Sequence, residues 1–377
     1  MTVCASSLSA HPLATQATGE VVGEVLERIG PEPDVAVLFA SPHHTGAIED
    51  IGAAVRSLLR PRVLLGCTSG AVVGGPEEVE AGPALALLAV RGVEATGVRL
   101  QAVPSGDGVS LWGLPRFDPG DGRTLLVLAD PYTFPATLLL DAAAPAGVQV
   151  VGGLAGAARG PGGNRLLLDA AVHDDGAVGL LLPAGTGATT IVSQGCRPIG
   201  DPMVVTKAEG NLLLELASEP ALVRLRRLIA HLTEEERHLA AQGLHIGKVV
   251  DERKADFERG DFLIRAVLGA VTAQEAVAVG EELPVGTTVQ FQVRDAGSAD
   301  EDLRHLLAGV DAAGALLFTC NGRGSSLFGE PDHDAALVDA ITPGRATAGM
   351  SCAGEIGPIG GTSFLHGYTA SALLFRK

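Results

Sequence analysis

Along the first 155 residues, short apolar runs alternate with amphipathic segments. Val35 to Ala40 is uninterrupted and follows Pro33-Asp34, the pattern of a strand buried on both faces. Ala47 to Leu59 places Ile48, Ile51, Val55, Leu58 and Leu59 at helical spacing, and Pro61 closes the segment before a strand begins at Val63. Leu85 to Val90 and Val93 to Val103 read as antiparallel strands joined at Arg91-Gly92. Leu125 to Ala129 is a further strand, followed by a helix from Pro135 to Ala144. Between 164 and 215 strand follows strand: Leu166 to Leu168, Ala177 to Leu182, Thr189 to Ser193 and Met203 to Thr206. Helices return at Pro220 to Leu232 and at Glu234 to Ala241, the latter capped by Thr233 with Glu236 reaching back. A second capping box, Ser298 with Glu301, opens another helix. These elements predict an α+β fold of two large, mainly antiparallel sheets flanked by helices in αββα-like layers.

A glycine pattern recurs on that framework. Strands run into Gly66-Cys67-Thr68-Ser69-Gly70-Ala71, into Gly152-Gly153-Leu154-Ala155-Gly156-Ala157 and into Gly349-Met350-Ser351-Cys352-Ala353-Gly354-Glu355, each with further Gly and Pro close behind. Related units in both halves of the chain point to a duplicated, pseudo-symmetric architecture. The third copy alone carries an acid after its second glycine.

Composition narrows the function classes. With 377 residues the chain has room for two domains with their own cores, and 46% hydrophobic but 3% aromatic content makes those cores aliphatic. Fifty dispersed glycines indicate tight turns and close backbone approaches rather than disorder. A formal charge of −17 with no basic patch argues against nucleic acid as a partner. The five cysteines (Cys4, Cys67, Cys196, Cys320 and Cys352) show no metal-ligand spacing, so neither a disulfide framework nor a metal site is expected, and no cofactor. The start of the chain has no signal-peptide pattern and no apolar run is long enough to insert in a membrane, so a cytoplasmic protein is expected.

Candidate chemistry gathers in the last 60 residues. Asn321-Gly322-Arg323-Gly324 presents an amide and a guanidinium on backbone with little side-chain bulk; Glu355 adds a carboxylate, and His366 and Tyr368 add an imidazole and a phenol. Arg323 suits bidentate capture of a carboxylate or phosphate, or a turn salt bridge to Glu330 or Asp332. Asn321 suits hydrogen bonding to a ligand or capping of a turn. Glu355, between glycines, needs a partner if buried, either a ligand ammonium or Arg323 or Arg345. His366, Tyr368 and the His43-His44 pair each have a structural reading beside the functional one. The glycine turns lack the phosphate-binding fingerprints of P-loop and dinucleotide sites. An enzymatic alternative uses Cys352 or Cys320 as nucleophile with His366, Asn321 completing a Cys-His-Asn set in a small-molecule hydrolase; free cysteines are equally ordinary small core residues. A third possibility is a protein-interaction scaffold.

The ordered set resembles the FIST family, a two-part sensory domain of bacterial signalling proteins and some eukaryotic F-box proteins. The resemblance rests on Leu65 to Gly70, Val151 to Gly156 and Ser193-Gln194-Gly195-Cys196-Arg197-Pro198-Ile199-Gly200 in an N-terminal part. It continues through Thr206 to Asn211, Glu219-Pro220-Ala221, Asn321 to Gly324, Ala353 to Pro358 and Leu365 to Thr369 in a C-terminal part. It implies a FIST N-like domain over 1–208 and a FIST C-like domain over 209–377. Its functional implication is sensing of small ligands, such as amino acids, without a reaction. Cys196, Ala217, Ala71 and the residue after Gly156 depart from the family's Trp, Asp, Glu and acid or amide, which leaves the N-terminal part less polar and directs the search to the C-terminal one. No kinase, cyclase, receptor or F-box segment is recognised, so a separate signalling partner is expected to carry the output. The resulting expectation is a non-enzymatic sensor in which Arg323 holds a ligand carboxylate and Glu355 an ammonium, with Asn321, His366 and Tyr368 orienting. On that reading Arg323→Ala abolishes binding and leaves the fold intact.

Overall fold

The computed structural model describes residues 1–106, 108–254, 256–257 and 260–377. The chain forms two compact units. Met1–Val192, Leu303–Leu365 and Thr369–Lys377 make the first; Ser193–Asp302 and His366–Tyr368 make the second. The division expected at 208/209 falls inside the strand Met203–Glu209 of the second unit.

In the first unit one supersecondary pattern occurs three times: a leading strand, a helix, a following strand, a hairpin and a closing strand. The first repeat comprises Val35–Ala40, Ile48–Leu59, Val63–Thr68, the hairpin Val72–Gly74 with Glu77–Val79, and Leu85–Arg91. In the second these are Thr124–Ala129, Ala136–Ala143, Gln149–Leu154, Leu166–Leu168 with Ala171–His173, and Ala177–Leu182. In the third they are Ala312–Cys320, His333–Asp339, Thr347–Cys352, Glu355–Ile359 with Thr362–His366, and Thr369–Arg376. In every repeat the leading and following strands pair in parallel, because a helix bridges them, and the closing strand pairs antiparallel on the leading strand's other edge.

The hairpins are exchanged around a ring. The first repeat's hairpin pairs with the third repeat's following strand, the second's with the first's, and the third's with the second's. Three sheets of the same strand order result, each completed by another repeat. Their inner faces share one apolar core, including Phe39, Leu65, Leu128, Val151, Phe318 and Met350. Helices cover the outer faces: Val25, Ile51 and Val55 over the first sheet, Leu139 and Leu140 over the second, Leu303 and Val338 over the third.

Close packing explains the repeated glycines. Gly66, Gly152 and Gly349 occupy the same place in the three following strands, paired with Leu38, Val127 and Leu317. A Cβ at any of them would press into the carbonyl oxygen of that partner. The same register corrects the alignment of the acid. Glu355 pairs with Gly153, as Val72 pairs with Met350 and Leu166 with Cys67, so its counterparts are Val72 and Leu166 rather than Ala71 and Ala157.

The second unit contains the fourth sheet. Its pairings close on themselves through Met203–Glu209, Leu212–Leu216, Ala276–Val279, Phe262–Val271, Leu244–Val249 and Thr288–Arg294, giving an antiparallel barrel. Leu213, Leu216, Ile246, Val277, Val289 and Phe291 belong to its core.

The α+β class and most elements agree with the hydrophobic pattern, including the Thr233–Glu236 capping box. Four sheets and three repeats replace the two large sheets of a duplicated architecture, and two further expectations change. Leu85–Arg91 and Thr96–Ser105 are not hairpin partners. The former is buried on both faces between Val3–Ser9 and Val35–Ala40, whereas the latter pairs with Ala177–Leu182 in a different sheet. The helix expected to open at Ser298 begins at Ala296, where Asp295 accepts from the Gly297 N–H (3.1 Å) and the Ser298 hydroxyl (2.9 Å).

Candidate functional site: a polar cavity where the three repeats meet

Parallel strands deliver the residues that follow them to one edge of a sheet, the usual place for ligands in such sheets. Here three such edges converge. Gly70, past the first following strand, lies so close to Gly156, past the second, that a Cβ on it would come 3.3 Å from the Gly156 carbonyl oxygen. The same Cβ would come 3.3 Å from Ser351 Oγ and 3.5 Å from Asn321 Oδ1 of the third repeat. Ser351 Oγ accepts from the Ala71 N–H (2.8 Å), and the Ser69 hydroxyl donates to the Ser351 carbonyl (3.2 Å), tying the first and third repeats together. A cavity of about 300 Å³ opens there, lined by Gly70, Ala71, Gly156, Thr319, Cys320, Asn321, Arg323, Ser351, Glu78 and Glu80 among others.

Arg323 is the most constrained of these. Its side chain is 1% exposed and forms a fork on Asp334, Nε to Oδ2 at 2.6 Å and Nη2 to Oδ1 at 2.9 Å. The partner is neither Glu330 nor Asp332: Asp334 lies in the first turn of the third repeat's helix, fully buried, with His333 Nδ1 3.1 Å from its Oδ1. Burial opposes ionisation of Asp334, but the guanidinium outweighs it and holds the carboxyl at about 2. The guanidinium stands over the Phe328 ring, 5.3 Å from its centroid. Its remaining nitrogen, Nη1, is buried and has no hydrogen-bond partner. Asn321 is exposed at the cavity.

The other expected residues are placed differently. Glu355 is not among the lining residues. It is fully buried, with Oε2 accepting from the Thr369 N–H (3.1 Å) and hydroxyl (2.8 Å) and Oε1 unbonded. Burial pushes its carboxyl up to about 8, against the Thr369 bonds and the field of Arg323. His366 and Tyr368 belong to the second unit and do not line the cavity. Tyr368 packs edge-on against His245, centroids 4.2 Å apart, with Arg294 over its ring. Cys352 is 1% exposed, a core residue, and burial raises its thiol well above the ordinary value. Cys320 is half-buried at the cavity and accepts from the Gly322 N–H at Sγ (3.4 Å). Among the described residues no group of three or more His, Cys, Asp or Glu is placed to hold a metal ion, and no helix is long and apolar enough to cross a membrane.

Sequence reasoning missed two lining residues, Glu78 and Glu80. They belong to the first repeat's exchanged hairpin and its continuation. Glu78 Oε1 accepts from the Ala335 N–H (3.0 Å), and Glu80 Oε1 accepts from the N–H (2.7 Å) and hydroxyl (3.0 Å) of Ser325. Burial, with Asp334, Glu80 and Asp332 nearby, pushes the Glu78 carboxyl up to about 7. The only signal in the sequence is the acidic run Glu77-Glu78-Val79-Glu80 just after the first glycine turn.

Comparison with known proteins gives the family. Residues 34–219 match the FIST N domain and residues 221–358 the FIST C domain. An uncharacterized protein of Mycobacterium bovis is 43% identical over 373 residues, covering 97% of this chain and 96% of its own. An uncharacterized protein of Mycobacterium tuberculosis is 43% identical over 378 residues, covering 98% of both chains. The chain therefore belongs to the FIST family, whose domains are associated with sensory signal transduction.

Proposed function

We propose that this protein is a cytoplasmic sensor whose cavity binds a small polar ligand, an amino acid being the class that best suits the charges around it. Occupancy would be passed to a separate signalling protein. The observation that carries the reading is the Arg323 guanidinium: the residue lines the cavity, Asp334 holds it by a two-point fork, and its Nη1 is buried and unpaired. A buried donor without an acceptor costs about 1–3 kcal/mol, and a ligand oxygen would relieve that cost. The Asn321 amide, exposed at the same cavity, is positioned to orient such a ligand. The family's association with sensing supports a binding role.

The burial of Arg323 changes how the reading is tested. Arg323→Ala strips a buried carboxylate of its counter-charge, a loss of about 3–5 kcal/mol in such pairs, so it is expected to destabilise the fold as well as the site. Asn321→Ala is the better variant, because its side chain is exposed. In a thermal-shift screen against amino acids and small metabolites, a ligand at a hundredfold excess over its Kd adds about 2.7 kcal/mol of stability. The expected result is a selective rise in Tm that weakens up to about tenfold in affinity in Asn321→Ala, the scale of one lost hydrogen bond. A flat screen, or shifts that Asn321→Ala leaves untouched, would overturn the assignment.

A further inference from the structure

Glu78 and Glu80 line this cavity with Asp332 and Asp334 close to Glu78, and among the described residues only Asp334 of the four has a guanidinium on it. Asp332 is spent on the Glu78 N–H (2.6 Å). Among the described residues Glu78 and Glu80 have no ion-pair partner, and in each one oxygen is held by a backbone N–H while no described residue donates to the other. They also lean together. A Cβ at Gly324 would touch Glu80 Oε1 and come within 3.2 Å of Glu78 Oε2, so a glycine with a φ of 59° is what lets the two carboxylates share that corner. Arg323 lines the same cavity, and its Nη1 is buried without a hydrogen-bond partner.

We infer that Glu78 and Glu80, delivered by the first repeat's exchanged hairpin and its continuation, form a cation-recognising corner of the cavity that Arg323 also lines, and that the ligand is a compact protonated amine carrying an oxygen acceptor. The inference rests on reading the cavity as a ligand site. Two carboxylates with one free oxygen each accept an ammonium as paired hydrogen-bond acceptors. They do not amount to a metal shell, since among the described residues no group of three or more His, Cys, Asp or Glu is placed to hold a metal ion. The ammonium also relieves the mutual repulsion of the acids, and the ligand oxygen takes the bond Arg323 lacks. An anion without an ammonium gains one contact and meets two carboxylates.

The test uses four probes of similar size: ethanolamine, glycine, glycolate and ethylene glycol. Each is titrated into the full chain and followed by Tm, in the wild type and in Glu80→Gln. That variant keeps the side-chain oxygen on Ser325 and removes the charge. Ethanolamine and glycine are expected to raise Tm, with apparent affinity falling at least tenfold in Glu80→Gln, while glycolate and ethylene glycol do nothing. If glycolate or ethylene glycol binds and Glu80→Gln is neutral or improves it, the cation corner is wrong and the ligand site survives. If Mg²⁺ or Ca²⁺ alone raises Tm through Glu80, the corner is a metal site and the amine assignment falls. If no probe shifts Tm and the amino-acid screen is also flat, the reading of the cavity itself fails.

Discussion

Glu355 is enclosed completely, with two donors from Thr369 on one oxygen and none on the other. Its carboxyl is held at about 8, against about 4.3 in an unfolded chain. Between those values the folded protein binds the extra proton. The stability this group contributes is therefore full below about 4.3 and is lost as pH rises through 8. Glu78, at about 7, acts in the same direction over a narrower window. Asp334, held at about 2, does the reverse and matters only in strong acid. Urea midpoints are accordingly expected to fall as the pH is raised from the carboxylate range to mildly alkaline. Glu355→Gln, whose carbonyl still accepts from Thr369, should flatten the decline and be the more stable protein at its alkaline end. Parallel curves for the two proteins would refute this. At this scale the sequence was half legible. Asn321 and Arg323 stand together in one turn, so their shared cavity was readable. The partner of Arg323 was not, because a helix start decides whether Asp332 or Asp334 turns inward. Glu78 and Glu80 act from more than 240 positions away, and no local pattern announces that.

The strand-helix-strand segments are bounded by signals that periodicity detects well: unbroken apolar runs, a helical stripe, a closing Pro or Gly. Their partners are another matter, as Leu85–Arg91 and Thr96–Ser105 show by joining different sheets although four residues separate them. Both have strand chemistry. Burial of both faces puts the first at the centre of its sheet, and the half-exposed second takes an outer position. The repeated glycines were visible too, but as turns. Their cause lies in the strand alongside, where a carbonyl oxygen occupies the space a side chain would need. Gly349→Ala is thus expected to destabilise by about 1–3 kcal/mol, the usual cost of overpacking a tight site. Gly19→Ala, in the helix Ala14–Ile29 with nothing within 4 Å of the new methyl, should instead stabilise by about 0.5–1 kcal/mol. Chemical denaturation of the two variants beside the wild type checks both signs; a harmless Gly349→Ala would refute the packing account.

The ring of exchanged hairpins makes the three repeats mutually dependent. A fragment of residues 1–208 has two complete repeats in sequence. It nevertheless leaves the hairpin Val72–Val79 without the strand Thr347–Cys352, and Gln149–Leu154 without Glu355–Ile359. Expressed alone, it is expected to lack a cooperative unfolding transition and protected amides in those strands; a cooperatively folded fragment would contradict the ring. The glycine turns made repetition legible, yet the exchange was invisible, since strands of different repeats share composition and any could pair with any. Synthesis meets the same arrangement as a problem of timing. The edge of the hairpin around Val72 must wait for Met350, its register partner, to leave the ribosome. At typical elongation rates of about 5–20 residues per second the wait is roughly a quarter of a minute to a minute. For all that time an apolar strand edge stands open, which makes the nascent chain a natural client for chaperones that shield such edges. The cavity, walled by residues from both ends of the message, is among the last parts of the molecule that translation completes.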